Sequence, residues 1–415
     1  MKTILDVSLL GQGFYHQKAR TGVFRVVENL ASLLPTISSD LEVIFADNLD
    51  LLSTLGYINE NLTTQQISFL NNPSQFSSAK FQSQILALFS YNSFPQKAIK
   101  RLFYQLNSSK SSFQNDLIEC SNIYHSPYYP IPNQIQQANS LKKLITIHDL
   151  IPLIHPEYFE HKTDNVVHQI IGSIKPDNFA VCVSESTKND LLETTKLEES
   201  QVFVVPLAAS KTLFYPVFNK ELINQKLKRY AIPTNQKYFL SISTLEPRKN
   251  IDSIIKSFIE LIEQEKIQDL NLVLVGTQGW DFDKIFKAIN LNPQFKNRII
   301  FTGYVPDGDL AALYSGALAF VYMSLCEGFG LPPLEAMQCG TPVICSNTTS
   351  LPEVMGDAGI LVSPTNQAEI TGAMLNIYKS ESLTNALKLK SIDRASLFSW
   401  DKFAQQTWEV YQKIG

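Results

Sequence analysis

Long apolar runs, paired cysteines and blocks of basic residues are all missing from this 415-residue chain. No stretch reaches the ~18–20 apolar residues that a bilayer-spanning helix needs. The first seven residues run straight into a strand pattern that contains Asp6, which is not how a signal peptide reads. The five cysteines (Cys120, Cys182, Cys326, Cys339 and Cys345) form no CxxC pair and sit mostly among apolar residues. That pattern argues against a disulfide framework or a cysteine zinc site and suits a reducing compartment. With 35 Lys and Arg against 39 Asp and Glu, the net charge is −4. No basic block offers a nucleic acid its footprint. The expectation is a cytoplasmic protein, with peripheral contact at the inner face of a membrane left open.

What is present reads as an ordinary globular enzyme, 44% hydrophobic and 18% charged, long enough for two domains. Short apolar runs alternate with amphipathic stretches, the pattern of parallel sheets covered by helices. Strands are expected at 3–7, 42–46, 123–125, 143–147, 179–183 and 201–205, then at 238–243, 271–275, 299–302, 319–321, 342–345 and 359–362. Two such runs read as two doubly wound α/β domains, with a boundary near 206–219. The stretch 398–414 (FSWDKFAQQTWEVYQKI) places Trp400, Phe403, Trp408 and Tyr411 on one helical stripe. The stretch 63–115 is rich in Gln, Ser, Asn and Phe. Its clearest periodicity is at 95–106 (PQKAIKRLFYQL), where Lys97, Lys100 and Arg101 flank Ile99, Leu102 and Phe103. Two readings stand there: a surface helix with a solvated basic face, and an amphipathic helix touching anionic lipid.

The densest chemistry lies in 324–342 (SLCEGFGLPPLEAMQCGTP), where Glu327 and Glu335 stand eight residues apart. Gly328, Phe329 and Gly330 allow close backbone approach. Pro332 and Pro333 suit the first turn of a helix, in which Glu335 falls. Loop amides feeding a helix N-terminus favour an anion. Two carboxylates beside such a site would bind hydroxyls attached to that anion, which suggests a sugar nucleotide.

This segment resembles the E-x7-E signature of the retaining GT-B glycosyltransferases of family 4. The resemblance continues, in the family's order, at 146–159 (TIHDLIPLIHPEYF), 183–192 (VSESTKNDLL), 239–251 (FLSISTLEPRKNI) and 272–280 (LVLVGTQGW). It implies a GT-B fold, two Rossmann-like domains facing a cleft. Residues 1–206 would bind the acceptor, 207–395 would bind the nucleotide sugar, and 396–415 would form a helix crossing back to the first domain.

By the same resemblance Glu335 binds ribose hydroxyls and Glu327 lies by the transferred sugar. Arg248 and Lys249 grip the diphosphate, bidentate and as a point charge. His148 is the family's active-site histidine at a strand end, and Gly22, in 19–29 (ARTGVFRVVEN), is its glycine loop. Gly11 and Gly13 make no dinucleotide fingerprint, since His16 holds the sixth place. The backbone of Gly328, Phe329, Gly330 and Leu331 would hold sugar hydroxyls or phosphate, and the loop of Tyr304 and Val305 would read the base. Ser243 stands where the family usually has glycine. His125 and Asp149 are acceptor-cleft candidates. His155, His161 and His168 lack ligand spacing, and no metal or cofactor is expected. The implied reaction moves a hexose, first choice mannose from GDP-mannose, to a glycan or lipid-linked acceptor. A sugar-nucleotide 2-epimerase and a non-catalytic sugar-nucleotide-binding subunit are the alternatives.

Overall fold

The computed structural model describes residues 1–15, 22–62, 68–89, 93–106, 112–159, 165–277, 279 and 289–415. Of the positions singled out above, His16, residues 19–21, His161, Gln278 and Trp280 lie outside them.

Two parallel sheets organise the chain. The first holds β1 (Lys2–Asp6), β2 (Glu42–Ala46), β3 (Ser68–Phe69), β4 (Ile123–Ser126), β5 (Lys142–Ile147), β6 (Phe179–Cys182) and β7 (Val202–Val204), in the order β3-β2-β1-β4-β5-β6-β7. The second holds β8 (Lys237–Ile242), β9 (Leu270–Val275), β10 (Ile299–Gly303), β11 (Ala319–Tyr322), β12 (Val343–Ser346) and β13 (Ile360–Val362), in the order β10-β9-β8-β11-β12-β13. Ile4 pairs with Ile44 and Tyr124 in one sheet, and Leu240 with Val273 and Phe320 in the other. Helices cover both faces, so the strands are near-continuous apolar runs: Ile4, Leu5, Leu272 and Val273 are fully buried. In each sheet the strand order reverses beside the first strand, between β1 and β4 and between β8 and β11. Ligands of doubly wound sheets gather outside the strand ends at such points.

β3 was not expected from the sequence, because two residues are too short to show a period. The helix Pro73–Ala87 also leaves little trace in the sequence: its apolar positions are weakly periodic, and its start rests on Asn72, whose side chain accepts from the Ser74 amide (3.1 Å) ahead of Pro73. No helix among the described residues is long and apolar enough to cross a membrane.

The last helix, Trp400–Ile414, begins at Ser399, whose hydroxyl accepts from the Lys402 amide (3.1 Å). It buries Phe403, Trp408, Tyr411 and Ile414 and packs against the helix Gly22–Ile37 of the first domain. Tyr411 Oη lies 2.7 Å from His125 Nδ1, and Thr146 Oγ1 lies 2.8 Å from the other ring nitrogen. The acceptor-cleft position expected for His125 is therefore corrected: the ring is 1% exposed, both nitrogens are held, and it anchors the C-terminal helix.

Candidate active site

The loop after β8 carries the two cations. Residues Pro247–Lys249 make one 3-10 turn that ends at Asn250 with φ +53°, a left-handed conformation that asparagine tolerates. The Asn250 side chain secures that turn by donating to the Pro364 carbonyl (2.8 Å) and accepting from Ser253 Oγ (2.7 Å). Arg248 and Lys249 then reach the loop after β11. Arg248 Nη1 lies 2.9 Å from Glu327 Oε2, and Lys249 Nζ 2.5 Å from Glu327 Oε1. Arg248 Nη2 pairs with Glu246 Oε1 at 2.9 Å. Tyr322, at the end of β11, donates to Glu327 Oε1 (2.7 Å) and accepts from Lys249 Nζ (2.9 Å).

The electrostatics follow from burial. Desolvation would raise the Glu327 pKa, but Lys249 and Arg248 outweigh it and hold the carboxyl down to about 2. Burial works against the Arg248 charge, yet Glu327 outweighs it and the guanidinium is raised. For Lys249 burial wins over Glu327, and its pKa is lowered. One carboxylate oxygen of Glu327 thus faces Arg248, and the other faces Lys249 and Tyr322.

The loop conformation is held tightly. The Glu327 amide donates to Thr349 Oγ1 (3.0 Å), and Thr349 itself adopts φ +50°, costly for a β-branched residue. Ser350 Oγ bridges the carbonyls of Glu327 (2.8 Å) and Phe329 (2.7 Å). Gly328 is required by close approach, since a Cβ there would lie 1.9 Å from the His148 carbonyl oxygen of the other domain. Its own carbonyl accepts from Ser184 Oγ (2.7 Å) and Thr187 Oγ1 (3.1 Å), also from the first domain. Gly330 has φ +121° and opens the helix Leu331–Gln338. Gly22, at the start of its own helix, faces Leu331: an added Cβ would meet Leu331 Cδ1 at 2.6 Å.

Glu335 lies in a different environment. Tyr314 Oη donates to its Oε2 (3.2 Å), and Arg25 of the first domain reaches its Oε1 (3.3 Å) while also pairing with Asp307 (2.6 Å). Burial dominates over Arg25 here, raising the Glu335 pKa to about 7. The two glutamates of one motif thus differ by a large margin in acidity.

His148 extends from the end of β5 with Nε2 2.8 Å from the Pro127 carbonyl oxygen. A carbonyl only accepts, so Nε2 carries the proton and Nδ1 is the acceptor. Burial pushes its pKa down to about 4, keeping the ring neutral at physiological pH. His148 and Asp149 line a cavity of about 270 Å³ together with Val23, Tyr128 and Asn165 of the first domain and Arg248 of the second. Asp149 accepts from the Ile151 amide (3.1 Å), and burial raises its pKa.

The structure therefore brings Arg248, Lys249 and Glu327 into direct contact, with His148 and Asp149 across the same cleft. Val305 is buried in the core after β10, whereas Tyr304 is half exposed on the rim. The Ser243 carbonyl oxygen occupies the place where a Cβ on Gly276 (φ +151°) would sit, and Ser243 Oγ is buried with no partner among the described residues. Sequence reasoning missed Arg25, Glu246, Tyr314, Tyr322 and Thr349. Of these, only Tyr322 carried a signal, its place at the end of a strand.

The glycosyl transferases group 1 family matches residues 223–394. Over 298 residues the chain is 33% identical to O-antigen chain mannosyltransferase B of Escherichia coli, covering 70% of this chain and 74% of that one. It is 29% identical to the serotype-specific mannosyltransferase WbdA of the same organism over 66% of this chain, but spans only 34% of WbdA's length. Sucrose-phosphate synthase from Thermosynechococcus elongatus superposes over 100% of this chain and 98% of its own with a TM-score of 0.65 at 18% identity, which shows the shared GT-B fold.

Proposed function

This chain belongs to the glycosyl transferases group 1 family and is a glycosyltransferase. We propose that it moves a hexose, with retention of configuration, from a sugar nucleotide to a glycan or lipid-linked acceptor in surface-polysaccharide assembly. Mannose from GDP-mannose is the donor proposed, supported by the likeness to O-antigen chain mannosyltransferase B. The observation that carries the reading is the contact of Arg248 and Lys249 with Glu327 at the strand ends, opposite the neutral His148.

In this reading Arg248 and Lys249 meet the charge developing on the leaving diphosphate. Preorganised charge of this kind is commonly the largest catalytic term. Glu327 holds the two cations in place at no cost in reorganisation during the reaction. Among the described residues, no protein group accepts from the amides of Gly328, Phe329, Gly330 and Leu331, so they are available to sugar hydroxyls or phosphate oxygens. His148 offers Nδ1 as acceptor to a hydroxyl of the transferred sugar. Glu335 takes the ribose hydroxyls, and the orphaned Ser243 Oγ lies in the loop beside the diphosphate. The acceptor hydroxyl enters from the side of Tyr128 and Asp149. Its oxygen bonds to the anomeric carbon on the face from which the phosphate departs, and the departing phosphate oxygen takes its proton. Two protein cations supply the countercharge, so no metal is required in this scheme and transfer should survive EDTA. A lipid-linked acceptor places the enzyme at the inner face of a membrane, in the cytoplasm.

A thermal-shift panel of GDP, UDP, dTDP and ADP, repeated on Glu335→Ala, tests the donor site. A ligand at a hundred times its Kd stabilises by about 2.7 kcal/mol. A shift with GDP that the variant loses supports the assignment, and a shift with none of the four overturns it. NMR of the product formed from GDP-mannose then reads the anomeric configuration directly.

A further inference from the structure

Outside the cleft, the first domain displays an unusual surface. From 61 to 115 the chain contains no Asp or Glu, although it has 39 in all, while Lys80, Lys97, Lys100, Arg101 and Lys110 fall in the same stretch. The helices Pro73–Ala87 and Phe94–Leu106 lie within it. Gln96 Nε2 donates to the Leu86 carbonyl (3.3 Å) and ties one to the other. Their inner faces, Ala79, Gln82, Ser83 and Leu86 on the first and Gln96 on the second, are buried.

The outer faces set large apolar side chains among their polar ones, which a purely solvated helix face would not need. Phe81 and Leu88 are 64% and 81% exposed and stand seven residues apart, on one side of the first helix axis. On the second helix Phe94 (84% exposed) and Leu102 (53%) share the outward side with Lys97 and Arg101. Large apolar side chains beside cations, with acids excluded over 55 residues, match an anionic lipid surface: the rings enter the acyl boundary and the ammonium and guanidinium groups stay at the headgroups. A protein partner of mixed charge would leave the missing acids unexplained. The position also fits. Lys100 lies close enough to feel the Asp50 carboxylate, which caps the helix after β2 at the carboxyl end of the first sheet. His148 faces the cleft from that same end of the sheet.

We infer that the outer faces of Pro73–Ala87 and Phe94–Leu106 dock on an anionic phospholipid bilayer and set the acceptor cleft at its surface. This rests on the reading that the acceptor is lipid-linked. Co-sedimentation of the full chain with phosphatidylcholine vesicles, with and without 30% phosphatidylglycerol, tests it. The protein should pellet with the anionic vesicles only. Phe81→Ser/Leu88→Ser and Phe94→Ser/Leu102→Ser should each lower the partition coefficient by about tenfold or more, and Lys97→Glu/Arg101→Glu by a similar factor that shrinks in high salt. These side chains are exposed, and an unchanged melting temperature confirms that the variants fold. Equal binding of wild type and variants overturns the inference. So does light scattering that shows the variants turning a dimer into a monomer without vesicle binding, since the face would then belong to a second copy. A protein that binds GDP but ignores vesicles overturns the membrane surface alone. One that pellets with anionic vesicles but binds no nucleotide supports the surface and overturns the donor reading.

Discussion

Arg25 and Glu335 are 310 residues apart in the chain, yet Arg25 Nη1 lies 3.3 Å from Glu335 Oε1, joining the two domains across the cleft. Their side chains are 15% and 10% exposed, so the pair is well shielded from water and from salt. The proposed ribose site is therefore engaged by a protein cation, and a donor must share or displace it.

Arg25→Ala should open the cleft in the absence of nucleotide. Removing one partner of a buried pair typically costs about 3 kcal/mol, so the denaturant midpoint should fall and the radius of gyration by small-angle scattering should rise. Saturating nucleotide should restore compactness. An unchanged radius with nucleotide absent would show that the other cross-domain contacts suffice, among them the two amides of Glu185 and Ser186 on the Glu353 carboxylate at 2.8 Å each and the Ser184 and Thr187 hydroxyls on the Gly328 carbonyl.

Gly328→Ala tests closure from the opposite side of the cleft. The added Cβ would lie 1.9 Å from the His148 carbonyl oxygen, which belongs to backbone and cannot turn aside. We expect nucleotide affinity close to wild type, because Glu335 and the cations remain, but kcat lower by about a hundredfold or more, since an ångström of misplacement at a reacting centre has that effect. Equal losses in kcat and in nucleotide affinity would locate the damage in the donor site itself.

The Glu327 cluster should behave as a unit. Glu327→Gln takes the carboxylate from buried Lys249 and leaves Arg248 with Glu246 alone, and should destabilise by about 3–5 kcal/mol. Lys249→Met added to it should recover part of that loss, which a double-mutant cycle of urea midpoints measures. Additive effects would mean that the pair contributes no coupling. Arg248→Ala should separately slow transfer by roughly a hundredfold to a thousandfold.

The two glutamates predict opposite pH behaviour. Glu327 sits below its unfolded value, so its contribution to stability is present above about pH 4.5 and is lost as the pH falls towards 2. Glu335 sits above its unfolded value. The folded state then holds that proton more tightly, and stability from this group falls as the pH rises from about 4.5 through 7. Ribose hydroxyls favour the carboxylate, so nucleotide affinity should improve between pH 6 and 8, and Glu335→Gln should remove that dependence. Calorimetric titration of both proteins with GDP gives the difference, with phosphate ionisation common to each. His148, down near 4, should contribute no limb around pH 6.5. A limb there that vanishes in His148→Gln would contradict the neutral ring.

Much of this protein is local and could be read from order alone. Twelve short apolar runs stand near twelve of the thirteen strands among the described residues, because a parallel strand buried on both faces needs an unbroken apolar sequence. Arg248, Lys249, Glu327, Glu335 and Gly22 stand out in the sequence as site candidates because motifs at strand ends and helix starts occupy contiguous residues. The tertiary structure decided what depends on distant neighbours. It set one glutamate near 2 and the other near 7, because one meets two cations in a buried loop and the other a single guanidinium from the opposite domain. It sent His125 under Tyr411 rather than into the cleft, since the C-terminal helix covers the end of β4. It also turned the Phe81 and Phe94 side chains outward, because the inner faces of their helices were already filled. Periodicity shows that a helix has two faces, and only packing chooses which one meets the protein.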